Sequence, residues 1–394
     1  MTHYKYLVIG GGMTANAAVR AIRNLDPNGS IGMVSREPDP PYKRPPLTKG
    51  LWKGKKFESI WLKTEDLDIE VHLGRVIKTL DPKGKSVTDD QAQLHTYDRL
   101  LLATGGAPRK FPFEGKQVNY YRTVRDYQRL REQAEKGGRF AVVGAGFIGS
   151  EIAAALTMNG KQVVMIFPGE GIGGRLFPAE LSLFLGNYYR EKGVEIWTKE
   201  TLKGLKSAGE AVSIETVTNR TDQVDGVVAG LGTQPNVELA GMAGLKLDGG
   251  ILVDEYLRTN EPDIYAAGDV AVFYNPILGK RLRVEHEDNA NTMGEFAGRN
   301  MAGESVPYHH IPFFYSDLFE LGYEAVGEVD SRLDMVPDWK NPYTEGVVYY
   351  LRDKRVRGVL LWNVWDQVEA ARRLIAEPGP FSPRDLKGRL PNPG

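Results

Sequence analysis

The chain has 394 residues, 41% hydrophobic and 26% charged, the balance of a globular protein long enough for two or three domains. Lysine and arginine number 50 against 51 acids, so a net charge of −1 offers no basic field for nucleic acid or an anionic membrane surface. No cysteine is present, which excludes disulfides, thiolate nucleophiles, iron–sulfur clusters and cysteine zinc sites. The first residues run straight into a strand without an apolar leader, and no uncharged apolar stretch reaches the ~18 residues of a membrane span. A cytoplasmic protein is expected.

Tyr6-Leu7-Val8-Ile9 enters the turn Gly10-Gly11-Gly12-Met13-Thr14-Ala15, and helical spacing follows over 15–25. In such a strand–turn–helix Gly10 allows the tight turn, Gly12 lets backbone N–H groups approach a pyrophosphate, and Ala15 keeps helix and strand close. The helix N-terminus then faces the anion, with Met13 and Thr14 among the contacts. An acid is needed ~20 residues on to meet the adenosine ribose. Glu37, past the strand 31–34, is the candidate.

A second copy follows. Phe140-Ala141-Val142-Val143 leads into Gly144-Ala145-Gly146-Phe147-Ile148-Gly149, then a helix over 150–158 and a strand over 163–167. Glu151 is expected in the first turn of that helix, where an acid also suits the helix dipole. For the ribose, Glu170 is the nearby acid and Arg175 follows in the same loop. An acid favours NADH and an arginine can take a 2′-phosphate, so both nucleotides stay open, with the acid tilting toward NADH. A single Gly turn can serve packing alone. Two, each with strand before and helix after, imply two dinucleotides, one fixed and one exchanging, and hence hydride traffic.

Further motifs carry a family resemblance. Ala103-Thr104-Gly105-Gly106-Ala107-Pro108 follows the strand Leu100-Leu101-Leu102, and Asn260-Glu261-Pro262-Asp263-Ile264-Tyr265-Ala266-Ala267-Gly268-Asp269 comes later. Both resemble marks of flavoproteins of the pyridine-nucleotide reductase class. Pro41-Tyr42-Lys43-Arg44-Pro45-Pro46-Leu47-Thr48-Lys49 is similar to the segment beside the flavin in the apoptosis-inducing factor family and in oxygenase-coupled ferredoxin and rubredoxin reductases. Val284-Glu285-His286-Glu287-Asp288 and Phe313-Phe314-Tyr315-Ser316-Asp317 match the same group. Gly322-Tyr323-Glu324-Ala325 tilts toward the apoptosis-inducing-factor-like branch. The resemblance covers residues 4–365.

The resemblance implies an α/β fold with two Rossmann-like dinucleotide-binding domains, glutathione-reductase-like, plus a C-terminal α+β domain. FAD is expected on 1–112 and 246–308, NAD(P)H on 113–245, and the C-terminal domain with an irregular tail on 309–394. It also implies that Asp269, beside Gly268, accepts a hydrogen bond from the flavin ribityl chain. Lys49 and Glu151 pair over the flavin edge and, with His286, are the expected catalytic groups. Glu285 and His286 flank the isoalloxazine at the start of a helix whose Ala290, Met293, Ala297 and Met301 mark a buried stripe. Arg44 and Arg122 are candidate pyrophosphate or adenine contacts. Val76, Thr104, Gly105 and Gly232 complete the expected cofactor contacts. Tyr315 is placed near the flavin edge, where these families usually carry Trp, and Gly169 stands where the second ribose acid belongs. The six histidines are scattered apart from His309-His310, so no metal site is expected.

Toward the C-terminus, apolar runs at 347–351 and 356–362, joined by Arg352-Asp353-Lys354-Arg355, predict an antiparallel hairpin. Asp366-Gln367-Val368-Glu369 predicts a capping box opening a helix. Five prolines from Pro378 onward predict an irregular tail. The function implied is hydride transfer from NAD(P)H to FAD, with electrons leaving to an external acceptor. Without cysteine, glutathione-, lipoamide- and thioredoxin-reductase chemistry is excluded. A ferredoxin or rubredoxin, a quinone, and oxygen remain as acceptors. The alternative is a redox sensor whose NADH-reduced state controls a homodimer.

Overall fold

The computed structural model describes every residue except 114, 116, 210 and 391–394. It divides the chain into two units: Met1–Arg44, Phe57–Ala107 and Gln234–Pro312 form the first; Pro45–Lys56, Pro108–Thr233 and Phe313–Gly394 form the second.

Apolar runs without polar alternation need cover on both faces, and the first unit supplies it. Its central strands Thr2–Ile9 and Leu94–Leu102 pair in parallel, with Leu7, Val8, Leu100 and Leu101 fully buried. The parallel strands Ile31–Val34 and Glu70–His72 extend one side. Ile264–Ala266 joins Leu94–Leu102 in parallel, and Ser86–Asp89 and Ile77–Asp81 add an antiparallel hairpin. The helices Met13–Leu25 and Glu287–Met301 pack on each other at backbone contact. A Cβ added at Gly294 would lie 2.4 Å from the Thr14 carbonyl oxygen, and one at Gly298 would lie 2.3 Å from that of Ala18. Ala290, Met293, Ala297 and Met301 form the buried stripe of the second of these helices.

In the second unit Arg139–Val143 lies between Gln162–Phe167 and Gly226–Ala229, all parallel, with Val194–Thr198 and Val118–Asn119 at the edges. A C-terminal antiparallel sheet runs in the order Phe313–Leu318, Leu321–Gly327, Arg355–Trp362, Glu345–Arg352, Asp334–Asn341. The predicted hairpin is there, but Arg352 and Arg355 pair with each other, so its loop is only Asp353 and Lys354. Both take positive φ, 52° and 57°, as a two-residue turn matched to strand twist requires.

Three local expectations need correction. The helix after the second Gly turn spans Phe147–Met158, so Glu151 lies beyond its first turn, which holds no acid. The helix Val368–Ala376 exists but has Gln367 at its N-cap and no side-chain cap. Asp366 sits one residue too early, in a left-handed conformation at φ 59°, and Glu369 pairs with Arg372 instead. The tail is folded as far as 390: Pro383–Leu386 is a short helix, the Ser382 N–H donates to Asp385 (2.7 Å), and Leu386 and Leu390 are buried. Residues 391–394 of the expected tail lie outside the described residues.

Candidate functional site

The first cradle is built as its sequence requires. Gly10 takes φ +130°, and a Cβ there would fall 2.1 Å from the Ala103 carbonyl oxygen. Over Gly12 there is open space, with nothing within 4 Å of an added Cβ. The helix Met13–Leu25 has Gly12 as N-cap, no capping side chain and no acid in its first turn. Its first N–H groups are thus left for an anion, and the dipole favours one. The residues present therefore fit a pyrophosphate. Thr14 also touches the chain near Asp269, since a Cβ at Gly268 would meet its Oγ1 at 2.3 Å.

Beyond the strand Ile31–Val34, Glu37 is engaged rather than open. It accepts from the Tyr42 hydroxyl (2.6 Å) and from Arg44. Burial opposes the Arg44 charge, but Tyr42, Glu37 and Asp269 together outweigh it and hold the guanidinium pKa above its ordinary value. Asp269 is buried, and its carbonyl accepts from Arg283 (3.0 Å). The same Arg283 nitrogen donates to Glu285 (2.5 Å). His286 is the half-buried N-cap of Glu287–Met301, and Glu287 and Asp288 occupy that helix's first turn. These acids already answer part of that helix's dipole. Thr104 donates to the Asn236 carbonyl and Asn236 donates back to that of Thr104, each at 2.8 Å, beside Gly105 at φ +64°. The Val76 N–H donates to Asp90 (3.2 Å).

The second cradle repeats the first. Gly144 takes φ +109° with a would-be Cβ 2.3 Å from the Gly230 carbonyl oxygen, and space over Gly146 is open. Gly146 caps the helix without a side-chain bond. Gly149 packs inside it, where a Cβ would meet the Gly144 oxygen at 2.1 Å. Phe147 stands edge-on to Phe314, and Ile148 is half-buried. Glu170 is exposed and paired with Lys199 (2.9 Å), and Arg175 is exposed. The Gly232 carbonyl accepts from the Arg109 N–H. Arg122 lends its N–H to Asp126 (3.1 Å) at the capped start of Val124–Lys136, with its side chain half-buried.

Directly after this cradle the second unit gathers its polar cluster. Lys49 Nζ lies 2.6 Å from Glu151 Oε1, with side chains only 12% and 5% exposed. Thr48 Oγ1 donates to Glu151 Oε2 (2.5 Å) and Ser316 Oγ to Oε1 (2.6 Å). Lys49 also sits 4.9 Å from the Tyr315 ring centroid. The segment before the lysine is held at Leu47, whose carbonyl takes hydrogen bonds from the Trp52 indole and the Tyr121 hydroxyl. A buried carboxylate with three donors is well compensated, and removing one partner of such a pair costs about 3–5 kcal/mol. Thr48, Ser316, Tyr42 and Arg283 were not singled out from sequence. Ser316 alternates with Tyr315 along its strand, which is the one signal that could have turned it inward.

Comparison with known proteins adds five findings. A family model described as pyridine nucleotide-disulphide oxidoreductase matches residues 4–294, and one described as the C-terminal part of mitochondrion-associated apoptosis-inducing factor matches 297–342 and 335–377. Apoptosis-inducing factor 1, mitochondrial, of Dictyostelium discoideum is 35% identical over 94% of this chain and 78% of its own. The 5,5'-dehydrodivanillate O-demethylase ferredoxin reductase subunit of Sphingobium sp. is 33% identical over 96% of this chain and 94% of its own. The putidaredoxin reductase of a covalent putidaredoxin reductase–putidaredoxin complex superposes with a TM-score of 0.91 at 28% identity, covering 98% of this chain and 95% of the other.

Proposed function

The chain belongs to the pyridine nucleotide-disulphide oxidoreductase family, and from that premise we propose that it delivers electrons from NAD(P)H to a ferredoxin-type carrier. It is an FAD-dependent NAD(P)H oxidoreductase. It has no cysteine, so the disulphide in the family's description has no counterpart here and electrons must leave to an outside acceptor. When bound, the flavin supplies the change from a two-electron donor to one-electron delivery. On this reading residues 1–112 and 246–308 hold FAD, residues 113–245 take the nicotinamide nucleotide, and 309–394 complete the chain.

The chain's own groups divide the work. Gly10, Gly12 and the uncapped helix start hold the pyrophosphate of FAD, while Glu37, Arg44 and Asp269 fix its polar parts. Gly144, Gly146 and Gly149 do the same for the nicotinamide nucleotide. In the second unit Lys49 and Glu151, with Tyr315 as the neighbouring aromatic surface, serve the nicotinamide; in the first, Glu285 and His286 serve the flavin. The carrying observation is the buried Lys49–Glu151 pair, completed by Thr48 and Ser316 immediately after the second cradle. The ferredoxin-type acceptor is supported by the Sphingobium reductase subunit and the putidaredoxin complex, whose names state that role. A second reading, a redox sensor whose NADH-reduced state controls a homodimer, is favoured by the apoptosis-inducing factor match over the C-terminal residues. Either protein would work in the cytoplasm, and no helix among the described residues is long and apolar enough to cross a membrane.

The test is an anaerobic NAD(P)H titration followed by visible absorbance. The holoprotein should be yellow with about one FAD per chain, bleach on nucleotide addition, and recover at once with an oxidised ferredoxin. Glu151→Gln should keep its FAD and bleach at least ~tenfold more slowly, a loss of about 1.4 kcal/mol at the reacting edge. A bleached state that survives both air and ferredoxin would move the assignment to the sensor. A colourless protein that ignores added FAD would overturn both readings.

A further inference from the structure

We propose that the second cradle reads the 2′-phosphate of NADPH through Lys199 and Arg175, and so prefers NADPH to NADH. This rests on that cradle being the site of the exchanging nucleotide. In a dinucleotide-binding fold the residue just past the second strand supplies the acid that holds the ribose 2′-hydroxyl. Past the strand Gln162–Phe167 that place belongs to Gly169, which has no carboxylate to give. Nothing local demands glycine there. Its φ is not left-handed, and an added Cβ would meet only ordinary contacts, at 3.8 Å and 3.9 Å. An acid would fit, and none is present.

The charges around Gly169 point the other way. The Lys199 N–H donates to the Gly169 carbonyl (3.1 Å), which fixes that lysine beside the vacant acid position. Glu170, the next residue, spends its carboxylate on Lys199 Nζ at 2.9 Å, with both side chains mostly exposed. Such an open pair is weak, and a phosphate dianion competes well for the ammonium. The loop that follows is clamped from both sides. The Gly173 N–H donates to the carbonyl of Ala145 in the Gly turn (3.0 Å), Ser331 Oγ donates to the Gly174 carbonyl (2.8 Å), and the Ser331 N–H donates to that of Arg175 (3.0 Å). Arg175 is therefore presented on a fixed loop bonded to the cradle, with its side chain exposed to solvent. A guanidinium and an ammonium suit a 2′-phosphate, while of the two acids in reach Glu170 is paired with Lys199 and Glu200 is buried and accepts from Thr218.

The experiment is calorimetric titration of the intact holoprotein with 2′,5′-ADP and with 5′-ADP, alongside steady-state rates with NADPH and NADH. The expected result is 2′,5′-ADP binding about tenfold or more tighter than 5′-ADP, with kcat/KM favouring NADPH in the same direction. Lys199→Ala and Arg175→Ala should each lower the affinity for 2′,5′-ADP about tenfold more than that for 5′-ADP. Gly169→Glu should reverse the preference. Equal or inverted affinities in the parent protein, insensitive to both substitutions, would overturn the proposal while leaving an NADH-dependent reductase intact. Binding of neither adenosine nucleotide would instead remove the cradle assignment beneath it.

Discussion

At the turn itself the two cradles coincide: Gly10 and Gly144 both take left-handed φ, and a methyl on either would strike a backbone oxygen within 2.3 Å. They part company one strand later. Past the first cradle Glu37 is clasped by Tyr42 and Arg44, with side chains 26% and 20% exposed for the acid and the arginine. Past the second there is Gly169, then a Glu170 that is 75% exposed and paired with the exposed Lys199. The same phosphate device is thus finished once with a closed ionic clasp and once with an open rim. A closed clasp suits a resident cofactor, whereas an open rim suits a nucleotide that must leave after every turnover.

The comparison breaks most visibly at the turns. Gly10→Ala should cost about 3 kcal/mol or more and give a protein without FAD. Gly144→Ala should stay yellow but fail to bleach with either nucleotide, as absorbance and thermal unfolding would reveal. If both variants lost FAD together, the two cradles would not be serving different ligands. A smaller effect is expected at the clasp. Arg44→Ala should speed FAD loss about tenfold, read by fluorescence of released flavin, because Glu37 loses its cationic partner. Glu170→Ala should leave FAD release unchanged.

The smallest effect is a pH dependence confined to the first unit. His72 is packed against Tyr4 (2.8 Å to the hydroxyl), Glu70 (3.2 Å) and the His95 ring. Burial lowers its pKa; Glu70 opposes that shift, and His95 adds to it. A histidine with a depressed folded pKa lets the unfolded chain bind the proton first. Its contribution is therefore present above the unfolded value of ~6.5 and is lost as pH falls below it. Between pH 7.5 and 5.5 the Tm should drop by about 2 °C, and His72→Gln should flatten the drop. Acid should also loosen FAD before it affects nucleotide binding at the second cradle. A fall of equal size in the variant would assign the effect elsewhere.

How much of this was legible in the sequence follows the range of the interactions. The Gly turns and the apolar strands are local, so Gly10, Gly144 and the runs beside them could be read directly. Lys49 and Glu151 stand 102 positions apart and were paired only through family resemblance, not through anything in their neighbourhoods. Ser316 reaches Glu151 across 165 positions and carries no local mark of that role. The start of Phe147–Met158 was set too late because Gly149 reads as the end of a turn, although it packs inside the helix. The tail misled through its prolines, which hid that Leu386 and Leu390 have a buried surface to fill. The expected capping box at Asp366 had the right residue types, but the left-handed backbone at that residue kept it out of the cap; a box of this kind forms instead at Thr123 and Asp126.

At Gly294 and Gly298 the helices Met13–Leu25 and Glu287–Met301 meet with no side chain between their backbones. At these two points the backbones meet directly, with the Gly10–Gly12 turn at the start of one helix and His286 at the start of the other. A side chain added at either glycine would have to wedge the two helix starts apart.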